Sequence, residues 1–425
     1  MQRGVMKLPY GRTTIECFPP ESIEWQLLLQ NLPPVTQETD EIIQRGIQKL
    51  SEQIKAGGFS TAKHILIVIP DHTRRCHAER ILPGLLDMLS FAELEIIIAN
   101  GSHILQPRDV IRDLVGDTVL ERVPVFQHDC RDETHLYYAG ETSNGTPVWL
   151  NKAIQRADLV ITLGGILYHY FAGYGGGPKM LMPGIAGYET IRLNHKFTID
   201  QQNHVFHEQC REGNLHTNPV YQDLVQVLDM VPNTLSYQIA LSPQGEIVHV
   251  ATGSVLDAQH EIIPHVKKMY NVPIGKKFDI VLASAGGFPA DVNLIQSHKS
   301  IHHAFQAVRQ DGVIVMAAEC SEGIGSSTFL PYFDAGSSEH IAAKLVQNYK
   351  INGHTALSLK TKAEKANIIL LSSLPDETVQ RCGMIPAQNS QQAMEIALSL
   401  LLENSTGAIL PKAFAQVPVS NEGKA

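Results

Sequence analysis

The chain is 425 residues long, with 44% hydrophobic residues and a formal net charge of -9 at pH 7. That length exceeds what one ordinary core needs, so it predicts two domains. The acidic balance and the lack of a Lys/Arg-rich run argue against nucleic-acid binding. Six scattered cysteines without a CxxC pair indicate neither a zinc knuckle nor a disulfide framework, and no apolar run approaches the ~18 residues of a membrane span. We therefore expect a soluble, cytoplasmic protein that binds neither nucleic acid nor a membrane.

Strand, polar loop and helix follow one another three times in the first half of the chain. A hairpin is predicted around Tyr10-Gly11-Arg12, and a helix over 36–56 carries apolar residues at helical spacing before Gly57-Gly58. All-apolar runs, which are typical of parallel strands buried on both faces, then occur at 65–69, 94–98 and 159–163. Helices are predicted over about 77–90 and after Pro107. This alternation indicates a doubly wound α/β sheet.

A second α/β block begins with the apolar run 278–283. Its other predicted strands are 312–317 and 367–371, and its predicted helices are 291–308, 338–349 and 389–403. The boundary is placed near Pro273-Ile274-Gly275, which gives an N-terminal domain over 1–273 and a C-terminal domain over 274–406. Residues 407–425 are predicted to return to the first domain. The expected fold is two α/β domains with largely parallel sheets and an active-site cleft between them.

Polar loops follow three of the strands of the first domain. Asp71 and Arg74 come after the first strand, His103 after the second and His169 after the third. Ligands of such sheets bind beyond the carboxyl ends of the strands, so we expect these residues to converge. The two histidines can exchange a proton near neutral pH, and an arginine fork suits a carboxylate.

A glycine-rich loop leads from His169 to Lys179 through Gly175, Gly176 and Gly177. It is not a P-loop, because Pro178 precedes the lysine and Met180 follows it, and the dinucleotide fingerprint fails at Pro178 as well. A glycine-rich surface turn with a solvated lysine is the simpler alternative. A lysine between glycines and apolar residues is instead placed to lose water and its proton, as covalent chemistry at an amine requires.

These motifs resemble the nickel-dependent lactate racemases. The matching stretches are Asp71-His72-Thr73-Arg74, His169 to Gly173, Gly176 to Lys179, Met182 to Ala186, Asn194-His195, Gly286 to Pro289 and Asn293 to Lys299. The resemblance implies a racemase or epimerase that inverts C2 of a small 2-hydroxy acid by hydride transfer to a nickel-pincer nucleotide. It also implies partner enzymes that synthesise this cofactor.

Roles for individual residues follow from the resemblance. Lys179 holds the cofactor covalently and His195 ligates the nickel, with Asp71, Gly175, Gly176 and Gly177 supporting the cofactor. His103 and His169 are the catalytic acid/base pair. Arg74, Gln296 and Lys299 bind the substrate carboxylate. Gln296 and Lys299 are three residues apart, so they share one helical face, although a solvated polar pair is the plainer interpretation.

Two departures from the family bear on the substrate. Ile104-Leu105-Gln106-Pro107 follows His103 where many relatives have Arg-Pro, and a late tryptophan has no counterpart because the tryptophans are Trp25 and Trp149. A larger substrate such as a sugar acid or a malate-like acid therefore stays open.

Two functions of other classes stay open as well. One is a zinc-dependent hydrolase using His204, His207 and Cys210, whose first two members would share a helical face. The other is a protein that binds the nickel nucleotide without catalysis. His298, His302 and His303 form a further candidate metal cluster.

Overall fold

The structure is a computed structural model that describes residues 5–30, 32 and 38–420. Within these residues the chain forms two compact units. We call the unit of residues 33–198 and 208–269 the first unit, and the unit of residues 1–32, 199–207 and 270–425 the second unit. No helix among the described residues is long and apolar enough to cross a membrane.

The first unit is built on a six-stranded sheet that is parallel except at one edge. In spatial order its strands are Ile247–Gly253, Thr234–Leu241, Leu159–Gly165, His64–Pro70, Glu93–Ala99 and Val125–Gln127. The three apolar runs predicted from the sequence are central strands of this sheet, and they are almost completely buried, as strands covered on both faces must be. Ile247–Gly253 is the antiparallel strand and forms one edge of the sheet.

Seven helices of this unit lie within the described residues: Thr39–Ala56, Ala78–Met88, Arg108–Val115, Asp117–Arg122, Tyr188–Lys196, Pro219–Asp229 and Val255–Tyr270. The first one buries Ile42, Ile43, Ile47, Leu50 and Ile54 at helical spacing, and these residues join the core on one face of the sheet. Two short antiparallel pairs complete the unit: Leu136–Glu141 with Pro147–Asn151, and Tyr168–His169 with Gly173–Tyr174.

The second unit contains a six-stranded sheet that is parallel throughout. Its strands in spatial order are Ile385–Ala387, Asn367–Leu371, Val308–Ala317, Phe278–Ser284, Thr406–Leu410 and Glu24–Leu27. Its helices are Leu294–Ala307, Ser338–Gln347, Gly353–Ala363, Asp376–Arg381 and Ser390–Ser399. The pairs Met6–Tyr10 with Thr13–Cys17, Ile199–Asp200 with Val205–Phe206, and Asn271–Ile274 with Val417–Ser420 belong to it too.

Both chain ends differ from the domain prediction. The tail was expected in the first domain, but Thr406–Leu410 lies between Phe278–Ser284 and Glu24–Leu27 in the sheet of the second unit. The residues of Glu24–Leu27 were likewise expected in the first domain, which was predicted to span 1–273. Segments of only four or five residues can specify a strand but not the sheet that it joins, because any parallel partner satisfies their backbone hydrogen bonds. Residues 421–425 lie outside the described part of the chain.

Candidate functional site

The site of the first unit lies where the strand order reverses. His64–Pro70 pairs on one side with Glu93–Ala99 and on the other with Leu159–Gly165, and all three strands are parallel. Their carboxyl ends therefore meet at one sheet edge, and the crevice at such a reversal is the usual ligand site of these sheets. The backbone N–H of Gly101, after the second strand, donates to Gly184 O (2.9 Å), which ties that loop to the segment following Lys179.

Asp71 and His103 form a close pair across two of these loops. Nδ1 of His103 donates to Oδ2 of Asp71 at 2.5 Å, while Thr73 donates to Oδ1 from its backbone N–H (3.1 Å) and its hydroxyl (2.6 Å). Burial raises the pKa of Asp71, but the hydrogen bond and charge of His103, the charge of Arg74 and the bond from Thr73 outweigh burial and lower it to about 2. The carboxylate thus stays ionised and leaves Nε2 of neutral His103 as the basic nitrogen.

Arg74 lies beside this pair on the loop after the first strand. Its Nη1 donates to the carbonyl oxygen (3.2 Å) and the hydroxyl (3.1 Å) of Thr73, so one side of the guanidinium is held in place. Its positive charge also lowers the pKa of Lys179, so the two side chains interact. The guanidinium charge itself suits an anionic ligand.

Lys179 is partly buried in the helical turn Gly177–Met180, directly after the glycines. Burial lowers the pKa of its amine, Arg74 lowers it further, and the result is about 7. Nζ lies 3.5 Å from Nε2 of His169 and 5.2 Å from the centre of the Phe171 ring. Near neutral pH this lysine is therefore poised between ammonium and nucleophilic amine.

The contacts of His169 agree with a neutral lysine. Its Nδ1 accepts the backbone N–H of Ala172 at 3.3 Å, so neutral His169 carries its proton on Nε2, the nitrogen that faces Lys179. An N–H aimed at Nζ needs a lone pair there, which an amine has and an ammonium lacks.

Phe171 connects three candidate residues and was not singled out from the sequence. Its ring edge packs on His169 (4.5 Å between ring centres, 89°) and on His195 (5.1 Å, 69°), and Lys179 approaches the same ring. The ring is 4% exposed. An aromatic residue two positions after a site histidine is a weak signal by itself, because aromatic rings are common in ordinary cores.

His195 lies near the end of the helix Tyr188–Lys196 and is 8% exposed. Its Nδ1 lies 3.1 Å from Oδ1 of Asn194, so the ring is held by an acceptor on its Nδ1 side. Neutral imidazole with a fixed Nδ1–H presents Nε2 as a lone pair, which is the arrangement that metal-ligating histidines use.

The three glycines of the loop differ in how strictly backbone conformation and neighbouring atoms exclude a side chain. Gly176 and Gly177 have φ of +64° and +55°, and a Cβ at either position would lie under 3 Å from Gln238 or Gln259 respectively. Gln238 also accepts the backbone N–H of Gly177 at 3.4 Å. Gly175 has ordinary φ, and its nearest neighbour would be Leu167 O at 3.8 Å, so its missing side chain leaves open space over the loop.

Gln296 and Lys299 lie in the second unit on the helix Leu294–Ala307, which begins after the capping residue Asn293. Nζ of Lys299 donates to Oε1 of Gln296 at 2.6 Å, which bears out their expected position on one helical face. That bond uses the oxygen of the Gln296 amide, so its N–H groups remain donors.

The competing zinc set does not have the geometry that the sequence predicts. His204 has φ of +52°, and Val205–Phe206 is a strand, so His204 and His207 are not on a helix. Cys210 is buried, with its thiol 3.5 Å from Phe197 O. An i, i+3 spacing aligns side chains only where the backbone is helical, and here the chain turns.

The histidine cluster of the second unit does lie on a helix. Nδ1 of His303 is 2.6 Å from the backbone oxygen of Ala413, and His298 is fully buried in the core. Among the residues that the structure describes, no group of three or more His, Cys, Asp or Glu side chains is arranged to hold a metal ion.

The fold and site define an α/β enzyme with imidazole bases, a guanidinium and a desolvated amine at a strand-order reversal. Comparison with known proteins identifies its family. The lactate racemase N-terminal domain matches residues 10–206, and the lactate racemase C-terminal domain matches residues 274–417. The chain belongs to the lactate racemase family and is an isomerase of the racemase class.

Individual relatives cover almost the whole chain. The lactate racemase of Thermoanaerobacterium thermosaccharolyticum is 26% identical over 423 residues, covering 96% of this chain and 97% of that protein. The lactate racemase of Lactiplantibacillus plantarum is 27% identical over 330 residues, 76% of each chain. The structure of the T. thermosaccharolyticum lactate racemase apoprotein superposes with a TM-score of 0.87 at 25% identity, covering 98% of this chain and 100% of that one. A Thermotoga maritima protein shares the fold alone, with a TM-score of 0.66 at 15% identity over 92% of this chain and 100% of that one.

Proposed function

We propose that this protein inverts C2 of a 2-hydroxy acid with a nickel-pincer nucleotide attached to Lys179. The relatives named above are lactate racemases, which supports the reaction class. The observation that carries the rest is the arrangement around Phe171, whose ring contacts His169, Lys179 and His195 together. Covalent attachment, metal ligation and proton transfer would then take place around one buried ring.

The residues present fit such a cofactor. An amine with a pKa of about 7 can form an amide-type bond near neutral pH, and His195 offers one imidazole nitrogen. One imidazole holds a divalent metal weakly, so further donors have to come from the cofactor, and sulfur with imidazole suits nickel. When bound, the cofactor supplies those donors and the acceptor for the C2 hydrogen with its electron pair. The open space over Gly175 leaves room beside the attachment point.

In the proposed reaction, the side chains of the protein transfer one proton. Removing the C2 hydrogen as a proton is unfavourable next to an anionic carboxylate, so the base acts on the C2 hydroxyl instead. Nε2 of His103, backed by the Asp71 carboxylate, accepts that proton and returns it. His169 is assigned this role for the mirror-image substrate because of the family resemblance; in the tautomer described above its basic nitrogen is Nδ1, which would have to exchange the N–H of Ala172 for the substrate hydroxyl.

Binding of the substrate carboxylate falls to Arg74. Thr73 holds its guanidinium through Nη1, and a planar fork recognises a carboxylate through two parallel hydrogen bonds. Gln296 and Lys299 are kept in the proposal as carboxylate ligands because of the family resemblance.

The substrate is proposed to be lactate or a larger 2-hydroxy acid. The segment after His103, where the sequence departs from relatives, is well exposed: Ile104 has 84% and Leu105 50% of its surface accessible. Gln127 fixes the segment by accepting the N–H of Gln106 (2.6 Å) and donating to its C=O (3.0 Å). An open, fixed apolar segment discriminates poorly by size, since a misfitting methylene costs only ~1–3 kcal/mol.

The cofactor is tested by mass spectrometry of the intact protein produced together with the cofactor-synthesis enzymes that the proposal requires. We expect a covalent adduct on the unmodified chain and on Lys152→Ala, a surface-lysine control, and none on Lys179→Ala. An adduct on Lys179→Ala would refute the assignment. The absence of any adduct on the unmodified chain would refute the cofactor.

The substrate is tested with a panel of single enantiomers followed by chiral chromatography. We expect turnover of lactate that is exceeded by at least one longer or hydroxylated 2-hydroxy acid. Lactate as the best substrate would contradict the preference for larger acids. Loaded protein that inverts none of the acids would favour the non-catalytic binding function.

A further inference from the structure

A buried chain of hydrogen bonds runs from the helix Pro219–Asp229 to the ring of His195. Nδ2 of Asn194 donates to Oδ2 of Asp223 and to the backbone oxygen of Val220, both at 3.1 Å. Oδ1 of Asn194 faces Nδ1 of His195 at 3.1 Å. Asn194 and Asp223 are completely buried. The side chains are therefore fixed relative to one another in a region of low dielectric constant, where such bonds are strong.

The orientation of the Asn194 amide follows from its partners. A carboxylate oxygen and a backbone carbonyl oxygen can only accept hydrogen bonds, so the NH2 group has to face Asp223 and Val220. Its oxygen is thereby directed at His195. Because an oxygen without hydrogen can only accept, Nδ1 of His195 must carry the proton, and Nε2 is the basic nitrogen.

We propose that Asp223 is a positioning residue for the metal site: by orienting Asn194, it holds His195 in its Nδ1–H form and so presents Nε2 to the metal. This inference rests on the proposed function of His195 as the nickel ligand. Metal-bound histidines are usually oriented by a hydrogen bond from their second ring nitrogen. Here the acceptor of that bond is the side chain of Asn194, and the carboxylate of Asp223 in turn orients Asn194.

The arrangement around Asp223 supports a dedicated role. Its other oxygen accepts from the hydroxyl of Thr142 (2.5 Å) and from Nδ2 of Asn144 (3.3 Å). Burying a carboxylate costs free energy even when neutral groups solvate it, whereas an apolar residue would fill the same volume without that cost. What the carboxylate adds over an apolar residue is the direction it imposes on Asn194.

The protein contains an internal reference for the test. His128 is buried and also contacts an asparagine, but Asn151 turns its NH2 group toward His128 Nδ1 (3.1 Å) because its Oδ1 accepts the backbone N–H of Ala153. Nε2 of His128 donates to Ala186 O at 2.9 Å. The structure thus assigns opposite tautomers to the two histidines, Nδ1–H for His195 and Nε2–H for His128.

Side-chain ¹⁵N NMR of the ¹⁵N-histidine-labelled apoprotein at about pH 8, above the ordinary imidazole pKa of ~6.5, distinguishes these tautomers. The signals are assigned by their loss in His195→Gln and His128→Gln. We expect Nδ1–H at His195 in the unmodified protein. Asn194→Leu should shift His195 toward Nε2–H, and Asp223→Leu should shift it partly in the same direction because Val220 O still accepts one N–H of Asn194, while His128 stays unchanged.

An Nε2–H signal for His195 in the unmodified protein would overturn the proposal without any variant. So would an unchanged His195 signal in Asp223→Leu or, if that chain does not fold, in the smaller Asp223→Ser. In cofactor-loaded protein, release of nickel to a chelator should be about 10- to 100-fold faster in Asn194→Leu. Unmodified protein without nickel would refute the proposed function and leave the tautomer result standing, so the two failures are distinguishable.

Discussion

Replacing Asp71 with asparagine tests whether His103 acts as a base through its carboxylate partner. Thr73 presents two donors to Oδ1, one of them a backbone N–H that cannot turn away. In Asp71→Asn the new amide must therefore place its oxygen toward Thr73 and its NH2 group toward Nδ1 of His103. Nδ1 of His103 then has to accept a hydrogen bond, so its proton moves to Nε2. The nitrogen proposed to act as the base is thereby blocked.

The size of the effect follows from the pair itself. The contacts of Asp71 lower its pKa from 3.8 to about 2 despite burial, which corresponds to about 2 kcal/mol. His103 is 41% exposed, so water screens part of that interaction. Losing a hydrogen bond to a charged group costs ~1.5–3 kcal/mol, or roughly 10- to 150-fold in rate, and the wrong tautomer adds at least another ~10-fold. We expect a decrease of about 10²- to 10³-fold in kcat, calculated per molecule of cofactor-loaded enzyme.

A matched control lies on the surface of the same unit. Asp132 accepts the N–H (3.0 Å) and hydroxyl (2.5 Å) of Thr134 and the Nδ1–H of His135 (2.7 Å), the same pattern as around Asp71. Asp132→Asn should leave the racemisation rate unchanged, as measured with loaded enzyme and chiral chromatography. An Asp71→Asn rate within about threefold of the unmodified enzyme would refute the reasoning, and an equal loss in both variants would show a general effect on folding.

Three further predictions concern the amine, the glycine loop and acid stability. Modification of Lys179 by an amine-specific reagent should be half-maximal near pH 7 rather than 10.5, because the neutral amine reacts, and peptide mapping across a pH series measures this. Gly177→Ala should lower the urea midpoint more than Gly145→Ala, since both incur ~1–2 kcal/mol of positive-φ strain but only the former places Cβ 2.6 Å from Gln259. The folded-state pKa of Asp71 is lowered, so its stabilisation is present above pH 3.8 and lost as pH falls through about 2. The urea midpoints of the unmodified protein and Asp71→Asn should accordingly converge toward pH 2, and a constant difference would contradict this.

The sequence alone was enough to predict the central strands of the first unit and to select candidate site residues at their ends. Runs such as 65–69 and 159–163 are almost entirely apolar, and only a strand buried on both faces accommodates that pattern at such length. Polar residues that directly follow parallel strands must lie at one sheet edge. The sequence therefore predicts that Asp71 and His103 lie near each other, but not which of their atoms are hydrogen-bonded. The same local reasoning failed for His204 and His207, because i, i+3 spacing has no meaning where the backbone is not helical.

Only the tertiary structure decided which atoms of these residues face one another. The role proposed for Asp223 depends on a contact with Asn194, 29 positions away, and no periodicity in the sequence encodes such a contact. Phe171 became part of the site through its ring contacts with His169 and His195, whereas its position in the sequence fits an ordinary core residue equally well. The strands Glu24–Leu27 and Thr406–Leu410 joined one sheet for the same reason. Local sequence determines whether a segment becomes a strand, but its partner is selected by the packing of the whole chain, because backbone hydrogen bonds are alike in every parallel sheet.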